Sequence, residues 1–262
     1  MRIRRRNAIP ALTAAALLAF AGAAYANNVS SENFTFTPSK VSKTTFTNGK
    51  IFVHTHTNYT APGDKAHGGF AKTVTLLFDS DFKFNPGTLP KCPGTFASST
   101  TLKQAYAACG PNGGATKNAL VGTGTASTAP ASNFPGCVAA FNGQPSAGNP
   151  TIVLFTRVTL APNGTANCAN PGNNTTGNTS VTLKGTLTNA GVAGFAKKLT
   201  VPNIDTAPLP LDDFTTTVQR GNYVQGKCSH TPKTWKMRTT FAYSGTGEAP
   251  DTVNATQACT NP

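Results

Sequence analysis

Short runs in which apolar and polar residues alternate recur along this chain of 262 residues. In the clearest run, Trp235 and Met237 fall on one face while Lys236 and Arg238 fall on the other. Side chains of a strand point alternately to its two faces, so a period of two predicts β-strands. Similar runs occupy Lys50–Tyr59, Lys72–Asp79, Thr151–Leu160 and the segment around Val181–Leu187.

Turn-forming residues separate these runs at the spacing expected of an all-β protein. The turn signals are Asn48-Gly49, Pro62-Gly63-Asp64, Asn85-Pro86-Gly87, Asn163-Gly164 and Pro171-Gly172. One stretch, Thr100–Ala108, has helical spacing and lies between Cys92 and Cys109. The pattern predicts a β-sandwich of Ig-like or jelly-roll type, with about ten strands and one short helix in a disulfide-closed connection. No linker divides the chain, so residues 27–262 are expected to form a single domain.

Residues 1–26 have the features of an export signal. Arg2, Arg4, Arg5 and Arg6 form a cationic start, residues 11–21 are apolar, and Ala24-Tyr25-Ala26 is a small-x-small cleavage site. The arginines leave Sec and twin-arginine export both open. No later run reaches the roughly 18 apolar residues of a membrane-spanning helix. We therefore expect a protein that is secreted or lies on the outside of the cell envelope, with no transmembrane segment after cleavage.

Composition adds that the chain is poor in charge and that its charge is positive. Only 12% of residues are charged, against roughly 25% in an average soluble domain, and 25 Gly and 19 Pro argue against helical bundles, coiled coils and α/β nucleotide-binding folds. Without the four leader arginines, 18 basic residues face nine acidic ones, a net charge of +9. This favours anionic envelope polymers or lipid head groups as partners; solubility is the alternative. No Lys/Arg run suggests nucleic acid, and the oligomeric state stays open.

All six cysteines follow the predicted cleavage site, which favours disulfides in an exported protein. Several connectivities are compatible with six cysteines, and we favour pairing of neighbours, each pair contributing about 3 kcal/mol through loop closure. A zinc site is the competing interpretation, but the chain has no C-x-x-C pair. The favoured pairs are Cys92–Cys109, Cys137–Cys168 and Cys228–Cys259.

Catalytic groups are scarce, which favours a non-enzymatic protein while leaving an enzyme open. The chain has no G-x-S-x-G nucleophile motif. Glycoside hydrolysis needs two carboxylates at a set separation, and the close pairs Asp79/Asp81 and Asp212/Asp213 both occupy strand edges, where exposed turn residues are common. The glycines of Val121–Ala126 belong to a predicted strand and not to a phosphate-binding loop. We assign no catalytic residue and no cofactor.

His54 and His56 form the one pair that resembles a metal site. At positions i and i+2 of a strand both imidazoles project from the same face, and His67 could supply a third ligand. Two exposed histidines on a Thr-rich strand are the alternative. Calcium at Asp79/Asp81 or Asp212/Asp213 is weaker, because neither pair matches a calcium-loop pattern.

Sugar binding would require exposed aromatic side chains. Trp235 alternates with core residues and is predicted to be buried, whereas Tyr59 and Tyr223 are candidates for exposure. The two tyrosines form no evident platform in the sequence. A carbohydrate-binding module is therefore an alternative to a binding or structural protein of the cell envelope, and a metal-binding or hydrolytic protein is a third.

Several short segments in a fixed order resemble a group of exported bacterial proteins without assigned activity. The match extends from about Phe34 to Cys259 and implies export, a β-rich single domain and the pairs Cys92–Cys109 and Cys228–Cys259. It implies no activity and no catalytic residues, and Cys137 and Cys168 lie outside it. The segments are Gly87–Cys92, Ala108-Cys109, Val121–Ala126, Ala140–Gly143, Lys227-Cys228, Trp235-Lys236 and Cys259.

Overall fold

A computed structural model describes residues 29–58, 71–128, 134–159, 168, 178–206, 211–243 and 249–262. The predicted leader, Tyr59 and His67 lie outside these ranges. Within them the chain forms fourteen strands and one α-helix. They are β1 (Val29–Thr37), β2 (Thr47–Asn48), β3 (Lys50–Asn58), β4 (Ala71–Asp79), β5 (Phe82–Phe84), α1 (Leu102–Cys109), β6 (Leu120–Thr128), β7 (Pro135–Ser146), β8 (Asn149–Thr159), β9 (Asn178–Asn189), β10 (Phe195–Pro202), β11 (Leu211–Val218), β12 (Val224–Gly226), β13 (Thr234–Tyr243) and β14 (Asp251–Ala258).

Eleven of these strands form one sheet in the order β1-β3-β11-β6-β7-β8-β9-β10-β4-β13-β14. Every neighbouring pair is antiparallel, so strand direction alternates across the sheet. Because eleven is odd, β1 and β14 run in the same direction, and they lie against each other. The all-β prediction is confirmed. The sandwich prediction is not, because the large sheet curves into a nearly closed, barrel-like shape.

Gln257 joins the first and last strands of this sheet. Its side-chain Nε2 donates to the carbonyl oxygen of Phe36 at 3.0 Å, and its Oε1 accepts from the Phe36 amide. A carboxamide carries one donor group and one acceptor, as a peptide group does. The Gln257 side chain therefore takes the place of a backbone ladder at the closing contact.

Connections at one end of the sheet fill its interior. We call the end where β1 begins the upper end and the opposite end the lower end. The small sheet β2-β12-β5 lies at the lower end, between the strands that finish and start there. Phe36, Phe82 and Trp235 pack against one another in the buried core, with ring centroids 5.2 to 5.5 Å apart. Trp235 is fully buried, as the alternation predicts, and its indole N–H donates to the carbonyl oxygen of Lys227 at 2.6 Å.

A second apolar core lies outside the sheet, where residues 89–119 cover β7 and β8. Leu102 of α1 belongs to this core together with Phe141 and Phe155 of the two strands. A capping box at Thr101 and Gln104 starts the helix. The apolar start of the Thr151–Leu160 run has a physical reason here, because β8 is buried on both faces.

Three disulfides stabilise the described chain, and they join neighbouring cysteines as predicted. The pairs are Cys92–Cys109, Cys137–Cys168 and Cys228–Cys259. Disulfides of this kind persist in oxidising compartments, so they fit an extracellular protein. Among the described residues, no helix has the length and apolar composition needed to cross a membrane.

The upper end of the sheet is where β1 starts. Strand directions place there the starts of β4, β7, β9, β11 and β14 and the ends of β3, β6, β8, β10 and β13. The upper halves of β1, β3 and β11 carry Glu32, His54, His56 and Asp213, which cross-strand pairing brings to neighbouring positions.

Candidate functional site

Asp79, Asp81 and His230 form the tightest cluster of ionisable side chains in the described chain. Asp79 ends β4, Asp81 follows in the turn to β5, and His230 lies between β12 and β13. Their ligand atoms all lie within 4.8 Å of one another, and theirs is the one such group of three among the described residues. Both aspartates are 1% exposed. The expectation that this pair would be exposed turn residues is therefore wrong, since the loop that carries His230 covers it.

Every carboxylate oxygen of the cluster already has a protein partner. Asp79 Oδ1 accepts from the Asp81 amide at 2.9 Å and lies 2.6 Å from His230 Nε2, while Oδ2 accepts from the Lys236 amide at 3.0 Å. Asp81 accepts from the amide and hydroxyl of Ser229 at 2.6 and 2.5 Å. These bonds tie the loop before β13 to the β4–β5 turn. The cluster could hold a cation only by giving up some of them.

Ser80 also reaches this cluster, but the geometry is not that of a nucleophilic triad. Its hydroxyl oxygen lies 3.2 Å from His230 Nε2, the same ring nitrogen that faces Asp79. In a Ser-His-Asp triad the hydroxyl and the carboxylate contact opposite ring nitrogens, so that the base can accept a proton while the carboxylate orients it. With both groups at Nε2, His230 is not placed to activate Ser80 while Asp79 holds it.

The second cluster lies on the outer face of β3 and β11 and contains the predicted histidine pair. His54 Nε2 lies 2.7 Å from Asp213 Oδ2, and His56 Nδ1 lies 3.6 Å from the same oxygen. No carboxylate stands directly beside the histidines in the sequence, and cross-strand pairing of Asp213 with His56 brings one next to them. His67 lies outside the described residues, so the three-histidine metal site stays a prediction.

The third candidate is a group of basic side chains on the outer face of β9, β10, β4 and β13. Lys198 and Arg238 flank Leu77 in register, and Lys236 lies two residues from Arg238 on the same face. Lys184 extends the group onto β9. We call Lys184, Lys198, Lys236 and Arg238 the basic face. None of the four forms a salt bridge within the described ranges.

Arg238 is fixed in place by its neighbours. The guanidinium lies 5.1 Å from the ring centroid of Phe195, and Nε donates to Asn254 Oδ1 at 3.1 Å. Leu77 points outward yet is only 8% exposed, consistent with cover by the aliphatic parts of the long side chains on both sides. The basic face is therefore a packed surface whose charged groups lie at its outer edge.

The acidic residues do not offset this face, because the fold uses them elsewhere. Asp79, the one described carboxylate on the outer face of β9, β10, β4 and β13, is buried and fully bonded. Asp213 is bound to His54, and Asp251 accepts from the hydroxyl of Tyr243 at 2.8 Å. The surface that a partner meets is thus more positive than the net charge indicates.

Aromatic side chains do not supply a sugar-binding platform in the described part of the chain. Tyr223 is fully buried beside Phe84, so the expectation that it is exposed is wrong. Trp235 is buried as well, and the one large hydrophobic residue that is well exposed in the described ranges is Val192. Tyr59 lies outside those ranges.

The interior of the large sheet holds an apolar cavity of about 90 Å³. Ala, Val, Leu, Ile and Phe side chains line it, together with Thr55 and Thr216. Glu32, next to Thr55 in cross-strand register, has both carboxylate oxygens buried. Burial raises the pKa of Glu32 to about 7, and the Thr239 hydroxyl acts in the opposite direction. Alternation on β1 places Glu32 inward with Phe34 and Phe36, and this period of two is present in the sequence.

These sites are defined by the residues of this chain alone. No family model, no curated protein and no solved structure matches it. The resemblance to exported bacterial proteins is therefore not supported by a match, and function has to be inferred from charge, burial and distance.

Proposed function

We propose that this chain is an exported, non-enzymatic protein that binds anionic polymers of the cell envelope through its basic face. The observation that carries the proposal is the group of Lys184, Lys198, Lys236 and Arg238, beside which the described residues of these strands place one carboxylate, the buried and fully bonded Asp79. A single domain spanning residues 27–262, released from its leader, is the form in which we expect it to act.

The spacing of the basic side chains suits a repeating anion. Neighbouring strands lie about 4.8 Å apart, so Lys198 and Arg238, separated by β4, present charges about 10 Å apart. Each Lys or Arg near an anionic surface contributes about 1 kcal/mol at physiological ionic strength. Four such groups are enough for a weak, salt-sensitive attachment.

The rest of the molecule fits a role outside the cell. Three disulfides stabilise the chain against unfolding in an oxidising environment. The hydrogen bonds of the Asp79–His230 cluster hold the loop before β13 against the β4–β5 turn. The cluster lacks the geometry of a nucleophilic triad. These observations favour binding over catalysis, and the scarcity of exposed aromatic side chains in the described ranges favours charge over sugar stacking as the means of binding.

Sedimentation with purified bacterial cell wall tests the proposal. The mature protein, a face variant (Lys184→Glu, Lys198→Glu, Lys236→Glu) and a control variant (Lys43→Glu, Lys103→Glu, Lys117→Glu) are mixed with the wall at low and high salt. Both variants make the same change in net charge, but the control sites lie elsewhere on the surface. We expect the face variant to lose about a hundredfold in affinity, with the control losing much less.

Two outcomes would contradict the proposal. Equal loss in both variants would mean that net charge, and not this face, attracts the polymer. Retention that is unchanged by salt and by both variants would point to sugar recognition, the alternative that we consider less well supported.

A further inference from the structure

Glu32 is the starting point for a second, independent site. On β1 it shares the inward face with Phe34 and Phe36, which are both fully buried. Its cross-strand partner is Thr55, which lines the interior cavity. Paired side chains on one face have Cβ atoms about 5 Å apart. The side chain of Glu32 therefore starts beside a residue of the cavity wall.

Polar atoms inside the sheet lack hydrogen-bond partners. The Thr239 hydroxyl interacts with the Glu32 carboxyl group and opposes the rise of its pKa, but neither Glu32 oxygen has a hydrogen bond of normal geometry. The hydroxyl of Thr216 is also buried without a partner. Thr216 lines the cavity, and Thr239 is paired with Leu76, another lining residue. Buried polar groups in native proteins are nearly always satisfied, so Glu32 and Thr216 can accept a polar partner that the described residues do not supply.

The cavity itself accepts a short apolar group. Its volume of about 90 Å³ is smaller than the roughly 150 Å³ of an apolar cavity that accepts benzene. Val53, Leu76, Leu154, Leu183, Leu199 and Phe214 are among its lining residues. Space of this size, with an almost entirely apolar lining, holds a few carbon atoms.

The charged groups on the strands around Glu32 do not compete with it. On β3, His54 and His56 lie on the outer face with Asp213. On β13, Lys236 and Arg238 also face outward. Asp251, near the upper end of β14, accepts from the hydroxyl of Tyr243. Asp205, next to the lining residue Ile204, has one buried oxygen without a hydrogen-bond partner. Among the described residues of β1, β3, β13 and β14, Glu32 is the one carboxyl group with both oxygens buried and without a hydrogen bond of normal geometry.

We propose that the interior of the sheet is a binding site for a small primary amine, whose short apolar chain fills the cavity while its ammonium group pairs with Glu32. An ionised carboxylate only accepts hydrogen bonds and an ammonium group only donates them, so the two are complementary. Burial of a charge is tolerated when it is paired and hydrogen-bonded. An anionic ligand would be repelled, and an alcohol would leave the charge of Glu32 uncompensated.

Titration with n-butylamine and n-butanol, followed by NMR of the full mature protein, tests this site. We expect butylamine to shift resonances of residues lining the cavity and to bind at least about tenfold more tightly than butanol. Glu32→Gln is expected to remove this preference, because a neutral amide cannot pair with the ammonium charge. Thr256→Ala, an exposed site on β14, is the matched control and should bind as the unaltered protein does.

The pH dependence gives a second readout. The amine stays protonated below pH 9, whereas the free Glu32 has a pKa of about 7. Butylamine affinity should therefore fall about tenfold for each pH unit below 7 and stay level above it. Leu154→Phe, which fills part of the cavity, should weaken both butylamine and butanol.

Three results would overturn the proposal. They are no cavity shifts with either compound, equal affinity for both compounds, or unchanged butylamine binding in Glu32→Gln. In each case ordered water, and not an amine, would be the partner of Glu32. None of these results bears on the basic face, which lies on the outside of the sheet.

Discussion

The carboxyl group of Glu32 has a cost in stability that depends on pH. Its pKa rises from 4.5 to about 7 on burial, so the folded state disfavours ionisation. The contribution of Glu32 to the free energy of unfolding is therefore fully present below about pH 4.5, and it is lost as the pH rises through 7. The loss amounts to about 3 kcal/mol above pH 7.

Replacing Glu32 by Gln removes this cost. We expect Glu32→Gln to raise the free energy of unfolding by about 2–3 kcal/mol near pH 8 and to change it little near pH 4. Urea unfolding at both pH values measures the effect. Asn33→Gln, on the outer face of the same strand, is the control and should leave the pH dependence unaltered. A gain of equal size at both pH values would mean that ionisation of Glu32 is not its source.

Gly124 is required because β6 and β11 approach closely. A Cβ atom at this position would lie 1.9 Å from the carbonyl oxygen of Thr215. Gly124→Ala should therefore destabilise the protein by about 1–3 kcal/mol or more, as overpacking does. Gly87→Ala is the matched control, since nothing lies within 4 Å of its added methyl group. Thermal unfolding of the two variants distinguishes them, and equal melting temperatures would refute the steric argument.

At the scale of residues, the sequence predicted burial where strand alternation governs it. Trp235 falls on the apolar face of its strand and is buried as expected. Tyr223 and Asp81 lie in connections, where no period applies, and Asp79 is the last residue of β4; all three were expected to be more exposed than they are. Their burial depends on which loop folds over them, and that depends on contacts between segments far apart in the chain.

At the scale of elements, Gln257 holds the edges of the large sheet together. Gln257→Ala removes two hydrogen bonds to Phe36 and leaves the amide and carbonyl groups of Phe36 without these partners. We expect a loss of about 1–3 kcal/mol in the free energy of unfolding, measured by urea denaturation. Thr256→Ala, the outward-facing neighbour, should cost much less.

The closing contact also predicts where the effect of this substitution appears. Hydrogen exchange should increase at Phe36 and along β14 in Gln257→Ala, because the joint between β1 and β14 opens. Exchange that stays unchanged at this joint would show that the two strands are held by other contacts.

Strand positions were predictable, whereas the pairing of strands was not. The runs Lys50–Tyr59 and Lys72–Asp79 correspond to β3 and β4, and Thr100–Ala108 corresponds to α1. A period of two shows which side chains share a face, but it is the same in a sandwich and in a nearly closed sheet. The closure depends on Gln257, one polar residue among alternating Thr, Ala and Val, whose role the local pattern does not reveal.

At the scale of the whole molecule, the fold separates its charges. Carboxylates are buried, as in Glu32 and Asp79, or paired, as in Asp213. Many of the basic residues are left on the surface, and four of them share the outer face of β9, β10, β4 and β13. The sequence predicted the positive net charge, but it could not predict this face, because β4, which is distant in sequence from both β10 and β13, joins them in the sheet.

The proposed envelope role is tested most directly by the salt dependence of binding to a soluble polyanion such as polyglutamate. The logarithm of an electrostatic binding constant falls linearly with that of the salt concentration, and the slope counts the charges neutralised. We predict a steep slope for the mature protein, a shallower one for Lys184→Glu, Lys198→Glu, Lys236→Glu, and a nearly unchanged one for Lys43→Glu, Lys103→Glu, Lys117→Glu. Identical slopes for the two variants would contradict the account.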